Sequence, residues 1–198
     1  MLVDVLKEYK VFLASKSPRR RELLAGMGVD FEIISTEVEE RFNAEDAPQD
    51  IVMGLSRLKM SPIRLGDYPE KTVFITCDTI VVVDGQVVGK PKDRAEAVRM
   101  LRTLSGNRHT VYSGLTVATP KKQITDFRTT DVVFETLSDE MIEYYIDKYL
   151  PYDKAGSYGV QEWIGYVGIR EVHGSFYNVM GLPTRLLWQM LEEVCREW

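Results

Sequence analysis

Asp78 stands in the middle of a run, Thr72–Val83 (TVFITCDTIVVV), whose other side chains are apolar or β-branched. Burying an unpaired carboxylate costs several kcal/mol, so Asp78 calls for a cation, a metal ion or a water-filled cleft. A strand that surfaces there, or a hydrogen-bonded core aspartate, is the plainer alternative. A second constellation is Ser15-Lys16-Ser17-Pro18-Arg19-Arg20-Arg21. A helix start carries partial positive charge and favours acids, yet Lys16, Arg19, Arg20 and Arg21 crowd this one. A phosphate would relieve that, accepting bonds from backbone N–H groups, serine hydroxyls and guanidinium forks together. A solvated basic helix start accounts for the same residues equally well.

Gly89-Lys90-Pro91 follows the hairpin that opens with the Asp78 strand. An antiparallel return could bring Lys90 back to balance Asp78 or to hold a phosphate; alone it reads as a surface lysine. Glu39-Glu40 and Lys59 gain meaning only as parts of a site, where acids beside lysines and arginines suit Mg²⁺-assisted phosphate chemistry. In Asp153-Lys154-Ala155-Gly156-Ser157-Tyr158-Gly159-Val160-Gln161 the glycines allow close backbone approach to a flat ligand. Gln161 offers the donor and acceptor needed to read a nucleobase edge; without context the segment is a plain Gly-containing turn. His173 has no visible partner and reads as structural, and Cys77 reads as a small buried strand residue.

The composition narrows the classes. The chain has 198 residues, 44% of them hydrophobic and 28% charged, enough for a proper core without long disorder. A formal charge of −5 argues against a general binder of nucleic acid or membrane surfaces, which needs a broad basic face. Any phosphate site must be a local basic pocket. The cysteines, Cys77 and Cys195, make no disulfide framework, and with only His109 and His173 available a Cys/His zinc site is excluded. The opening MLVDVLKEYK is no signal peptide, and no run approaches the about 20 apolar residues a membrane span requires.

The elements that must position these residues follow from local signals. Val11–Ala14 is a short apolar run, and Ser17-Pro18 starts a helix with Leu23, Leu24 and Met27 on one face, ended by Gly28. Residues 31–35 alternate as a strand. Ala47-Pro48 opens a helix with an Ile51, Val52 and Leu55 stripe, limited by Pro62. Residues 72–83 form a buried strand that turns at Asp84-Gly85 into 86–88. Asp93 caps a helix with Ala97, Met100, Leu101 and Leu104 inward, closed by Gly106. Residues 110–118 and 124–134 are strands, and Ser138 starts a helix ending near Tyr149. A Gly-rich stretch (AGSYGVQEWIGYVG) precedes a strand at about 169–172, and Gly181-Leu182-Pro183 leads into a C-terminal helix. This pattern is one α/β unit around a mixed sheet.

Taken together, LASKSPRRRELL, the Glu39-Glu40 pair, LSRLK, CDTIVVVDGQVVGKPKD, LSGNRHTVYSGL, DKAGSYGVQ and HGSFYNVMGLP resemble the Maf (septum-formation inhibitor) family of nucleotide pyrophosphatases, in order and over nearly the whole chain. The resemblance implies an elongated mixed-sheet α/β fold similar to the inosine-triphosphate pyrophosphatases, with an active-site cleft in a single domain over 1–198. It implies a cytoplasmic enzyme that uses Mg²⁺ or Mn²⁺ and cleaves between the α and β phosphates of a nucleoside triphosphate. On the matching positions it makes Asp78 the proton acceptor and assigns Arg19, Thr79 and Gln161 to substrate choice. Lys90, Glu40, Ser15, Arg20 and Lys59 fall in the same pocket, with Glu40 or Asp78 holding the metal. The DKAGSYGVQ form resembles the dTTP/UTP-cleaving subgroup. Glu162-Trp163 stand where many relatives have glycine, a departure that reshapes the base pocket. A competing expectation is a nucleotide-binding regulator of cell division with incidental hydrolysis. No nucleic-acid or membrane partner is expected, and a homodimer is the default assembly.

Overall fold

The computed structural model describes residues 1–195. Its strands are β1 (Lys10–Leu13), β2 (Glu32–Ile33), β3 (Thr72–Val83), β4 (Gln86–Val88), β5 (Arg108–Ala118), β6 (Gln123–Phe134) and β7 (Ile169–His173). They are hydrogen-bonded in the order β2-β1-β3-β5-β6-β7, with β4 on β3, and the sheet mixes parallel and antiparallel pairs. Contacts divide the chain into two compact units. One comprises Met1–Asp78, Ser113–Arg128 and the segment from Gly181 onward; the other comprises Thr79–Tyr112 and Thr129–Met180.

In the first unit β1 runs parallel to both β2 and β3, with Phe12 opposite Glu32 and Phe74, and Leu13 opposite Ile33 and Ile75. Parallel neighbours need crossover connections, which helices α2 (Pro18–Gly26) and α3 (Pro48–Met60) provide. Ser17 is the N-cap of α2 with Pro18 in its first turn, and the chain leaves through Gly28 at φ +74, the left-handed exit that glycine allows. Met27 is only half-buried, whereas Leu23 and Leu24 are in the core. Helix α3 buries Ile51, Val52 and Leu55 and stops at Met60, short of Pro62. Phe12 stacks on Phe74 at 5.2 Å, with Tyr68 edge-on to Phe74 at 4.8 Å and Met60 and Ala118 beside them. Strand β2 is shorter than the alternation of 31–35 suggests, because Glu32 and Ile33 are the only residues in register with β1, and both are exposed. A short helix, α1 (Leu2–Leu6), which the sequence pattern did not announce, packs against the C-terminal helix.

In the second unit β3 turns back into β4 through Asp84 and Gly85, at φ 49 and 75. Two successive left-handed residues make the type I′ turn that suits the twist of a hairpin. Helix α4 (Arg94–Leu104) is capped by Asp93, whose carboxylate accepts the Glu96 N–H at 2.7 Å. Its buried face is Ala97, Leu101 and Leu104, with Met100 at the margin. Helix α5 (Asp139–Tyr149) starts at Ser138, whose hydroxyl accepts the Met141 N–H at 3.2 Å, and packs on α4. The Gly-rich stretch contains a helix, α6 (Trp163–Gly168), and a further short helix, α7 (Phe176–Met180), follows β7. The C-terminal helix of the first unit, α8, spans Thr184–Cys195. No helix among the described residues is long and apolar enough to cross a membrane.

Candidate active site

Asp78 is the last residue of the first unit, 8% exposed, on a strand that is buried nearly throughout. Its Oδ1 is bonded to the Lys59 ammonium, which also lies 3.0 Å from Glu40 Oε1. Two acids therefore converge on one cation, and that cation is itself largely buried. The lysine supplies the partner that a carboxylate on a buried strand requires.

Helix α3 delivers Lys59 through a close approach to the sheet. Gly114 on β5 has no side chain; a Cβ there would lie 2.5 Å from Val52 C and 2.8 Å from Met53 N, and nearer still to Val52 O. Three residues before Lys59, the Ser56 carbonyl accepts the Thr76 hydroxyl at 2.7 Å, and Ser56 Oγ shares a hydrogen bond with Thr116 Oγ1 at 2.9 Å. Thr116 continues to Thr125 at 2.9 Å. Buried hydroxyls thus fix the register of α3 against β3, β5 and β6, and so the reach of Lys59 to Asp78.

The basic start of α2 is also built into the first unit. No acid occupies its first turn. Arg20 donates from Nε to the Gly181 carbonyl at 2.8 Å and from Nη1 to Ser15 Oγ at 3.4 Å, while Ser15 Oγ accepts the Ser17 N–H at 3.2 Å. The same Gly181 carbonyl accepts the Cys77 thiol at 3.3 Å, so Arg20 shares an anchor with the residue preceding Asp78. Arg19 is half-buried and Arg21 exposed. Lys16 reaches the exposed Glu37 at 3.5 Å.

Thr79, Lys90 and Gln161 belong to the second unit. The lysine bonded to Asp78 is Lys59, whereas Lys90 is exposed in a loop tied to the DKAGSYGVQ segment, where Gly89 O accepts the Gly156 N–H at 3.0 Å. Gly156 sits at φ +71 and a Cβ there would press on Val81 Cγ2 at 3.1 Å, so this segment needs glycine for both conformation and space. Gln161 is half-buried, and its Oε1 is buried with no hydrogen-bond partner among the described residues. His173 is exposed at the end of β7 and lies 2.7 Å from Glu171, whose carboxyl is held below its ordinary range by that bond and by Arg170.

A family model described as Maf-like protein matches residues 10–194. The chain belongs to the Maf family. It is 47% identical over 194 residues to a dTTP/UTP pyrophosphatase of Porphyromonas gingivalis, covering 97% of this chain and 98% of that one. A dTTP/UTP pyrophosphatase of Bacteroides thetaiotaomicron is 47% identical over 190 residues, 96% and 98% of the two chains. One of Cytophaga hutchinsonii is 41% identical over 98% of this chain and 88% of its own.

Within this Maf chain the donor set for a divalent ion is small. No group of three or more His, Cys, Asp or Glu side chains gathers among the described residues. Glu40 and Asp78 nevertheless meet at one cation, and Mg²⁺ is commonly held by one or two carboxylates with phosphate oxygens and water completing its shell. The pair fits that arrangement. Sequence reasoning passed over Gly114 and Ser56, although an isolated glycine inside a β-branched strand is the usual sign of close backbone approach. It also passed over Tyr145, which the fold brings to Glu162 from α5.

Proposed function

We propose that this Maf-family hydrolase cleaves dTTP and UTP between the α and β phosphates, releasing the nucleoside monophosphate and pyrophosphate. The likeness to dTTP/UTP pyrophosphatases over nearly the whole chain supports the substrate class, and the Asp78–Lys59–Glu40 cluster carries the chemistry. With Oδ1 engaged by Lys59, Asp78 Oδ2 is the atom that takes the proton from a water attacking the α-phosphorus. A positioned base of this kind contributes typically about 10²–10⁴-fold. Arg20, oriented through Gly181 and Ser15, together with Arg19 and the N–H groups at the start of α2, stabilises charge on the phosphates and departing pyrophosphate. Thr79 and Gln161 select the base, and Lys90 supplies a further cation.

Glu40 and Asp78 are the residues that would hold Mg²⁺ or Mn²⁺, and such an ion, when bound, polarises phosphoryl oxygens and the attacking water. Lys59 is then the residue that holds the two carboxylates together before substrate arrives. Cys77 and Cys195 are both buried thiols, which suits a reducing cytoplasm where nucleoside triphosphates are found. The test is pyrophosphate release across canonical nucleoside triphosphates with Mg²⁺ or Mn²⁺ and with a chelator. dTTP and UTP should lead, and chelation should abolish turnover. Saturable dTTP binding without pyrophosphate release contradicts this function.

A further inference from the structure

The second unit contains an ionic network around a buried lysine that the catalytic reading leaves unused. Lys154 is 7% exposed and lies 2.7 Å from Asp153 Oδ1 and 3.1 Å from Glu162 Oε1. The other oxygen of Glu162, Oε2, accepts a hydrogen bond from the Tyr145 hydroxyl. That same phenol oxygen accepts the backbone N–H of Gly159 at 2.9 Å. Glu162 N–H in turn donates to Gly159 O at 3.0 Å, which closes a four-residue turn with Val160 and Gln161 at its centre.

The turn is therefore held by its backbone and again through Tyr145 and Glu162. Two glycines make this possible. At Gly159 a Cβ would lie 2.8 Å from Glu162 Cδ and 3.1 Å from Gln161 Nε2, so both side chains cross the space that a side chain there would fill. At Gly165 a Cβ would lie 2.7 Å from Val160 C and nearer still to Val160 O, so α6 sits directly against the turn. Burial, and then the bond to Glu162, raise the Tyr145 hydroxyl well above its ordinary range, which keeps it a donor. At the centre of this framework Gln161 Oε1 is buried and lacks a hydrogen-bond partner among the described residues. A buried acceptor left in that state is unfavourable until a donor reaches it.

We propose that Glu162 is a positioning residue for base selection: bound to Lys154 and Tyr145, it fixes the 159–162 turn so that Gln161 Oε1 receives an imino N–H. This rests on the pyrimidine-nucleotide reading above. Uracil and thymine present an N–H at ring position 3 between two carbonyls, which matches an amide acceptor with a neighbouring amide donor. Cytosine presents an acceptor at the same position and would leave Oε1 unpaired. A site built to pair a donor rejects the analogue that lacks it far more strongly than a site that measures size alone.

The experiment is steady-state hydrolysis of dTTP and dCTP by the parent, Glu162→Gln and Tyr145→Phe, with folding checked by thermal melts. The expected result is a rise in KM for dTTP with kcat nearly kept, and a fall of about tenfold in the dTTP:dCTP ratio of kcat/KM, the worth of roughly one hydrogen bond to the base. A merely structural role would lower both nucleotides together through the active fraction and leave the ratio unchanged; that result overturns the proposal. Tyr145→Phe carries the test if Glu162→Gln fails to fold, because it keeps the ring and removes only the hydroxyl that joins Gly159 to Glu162. A parent protein that does not hydrolyse dTTP refutes the function itself, whereas an active parent with unchanged selectivity in both variants refutes this assignment alone.

Discussion

Replacing Gly114 by alanine tests whether the seat of α3 on the sheet sets the chemistry at Asp78. The new Cβ would stand 2.5 Å from Val52 C and 2.8 Å from Met53 N. Ordinary carbon contacts are about 3.5–4.0 Å, so α3 must retreat by about 1 Å. The obstacle is helix backbone, which cannot rotate aside as a side chain end can. Overpacking of this kind costs about 1–3 kcal/mol, and each kcal/mol lowers Tm by about 2–4 °C in a chain of this length. Lys59 lies on the same helix two turns beyond Val52 and moves with it, stretching its bonds to Asp78 and Glu40. A displacement of about 1 Å at a reacting group can cost about 10²-fold in rate. Thermal melts and dTTP turnover of Gly114→Ala measure both effects. A parental Tm would refute the packing argument, and a lowered Tm with parental kcat/KM would refute the link from α3 to catalysis.

Lys59→Met should keep the aliphatic stem but remove the cation between Glu40 and Asp78; kcat for dTTP should fall by about 10²-fold, measured by pyrophosphate release at saturating substrate, and a near-parental kcat would contradict the role given to Lys59. His109 is 1% exposed, with Nε2 2.6 Å from the Tyr158 hydroxyl, and burial lowers its pKa from 6.5 to about 4 against a smaller opposing influence of Asp131. Because the folded value lies below the unfolded one, the stabilising contribution of the neutral ring is complete above about pH 6.5 and is lost as pH falls through about 4, amounting to about 3 kcal/mol. Denaturant titrations of the parent and of His109→Gln should converge in stability between pH 7 and pH 4, and parallel profiles across that window would refute the assignment.

Much of the framework was legible because its signals are local. Ser17-Pro18, Ala47-Pro48, Asp93 and Ser138 stand at or beside the starts of α2, α3, α4 and α5, where capping geometry and the fixed φ of proline act within one turn. Asp84-Gly85 marked its hairpin for the same reason. Helix α6 was hidden because Trp163–Gly168 is short and carries glycines; its place depends on Gly165 resting against the Val160 carbonyl, a tertiary contact. Strand β2 is shorter than its alternation because the segment's last bond to β1 is that of the Ile34 N–H to Leu13 O, at 3.2 Å. At the candidate site, Asp78 was conspicuous as a charge in a buried strand, but its partner was not. Lys59 comes from α3, and the seat of that helix on Gly114 and its buried hydroxyl bonds decide that its ammonium reaches Asp78. The network around Glu162 is of the same kind, since Tyr145 arrives from a different helix.

The most direct test of the role of Asp78 is dTTP hydrolysis by Asp78→Asn, with the parent beside it and pyrophosphate quantified. Asparagine keeps the shape of the side chain and the reach of Oδ1 to Lys59 but can no longer take the proton of the attacking water. An unchanged fold and a turnover reduced by about 10²–10⁴-fold are expected. A folded Asp78→Asn protein that releases pyrophosphate from dTTP at the parental rate would contradict that role.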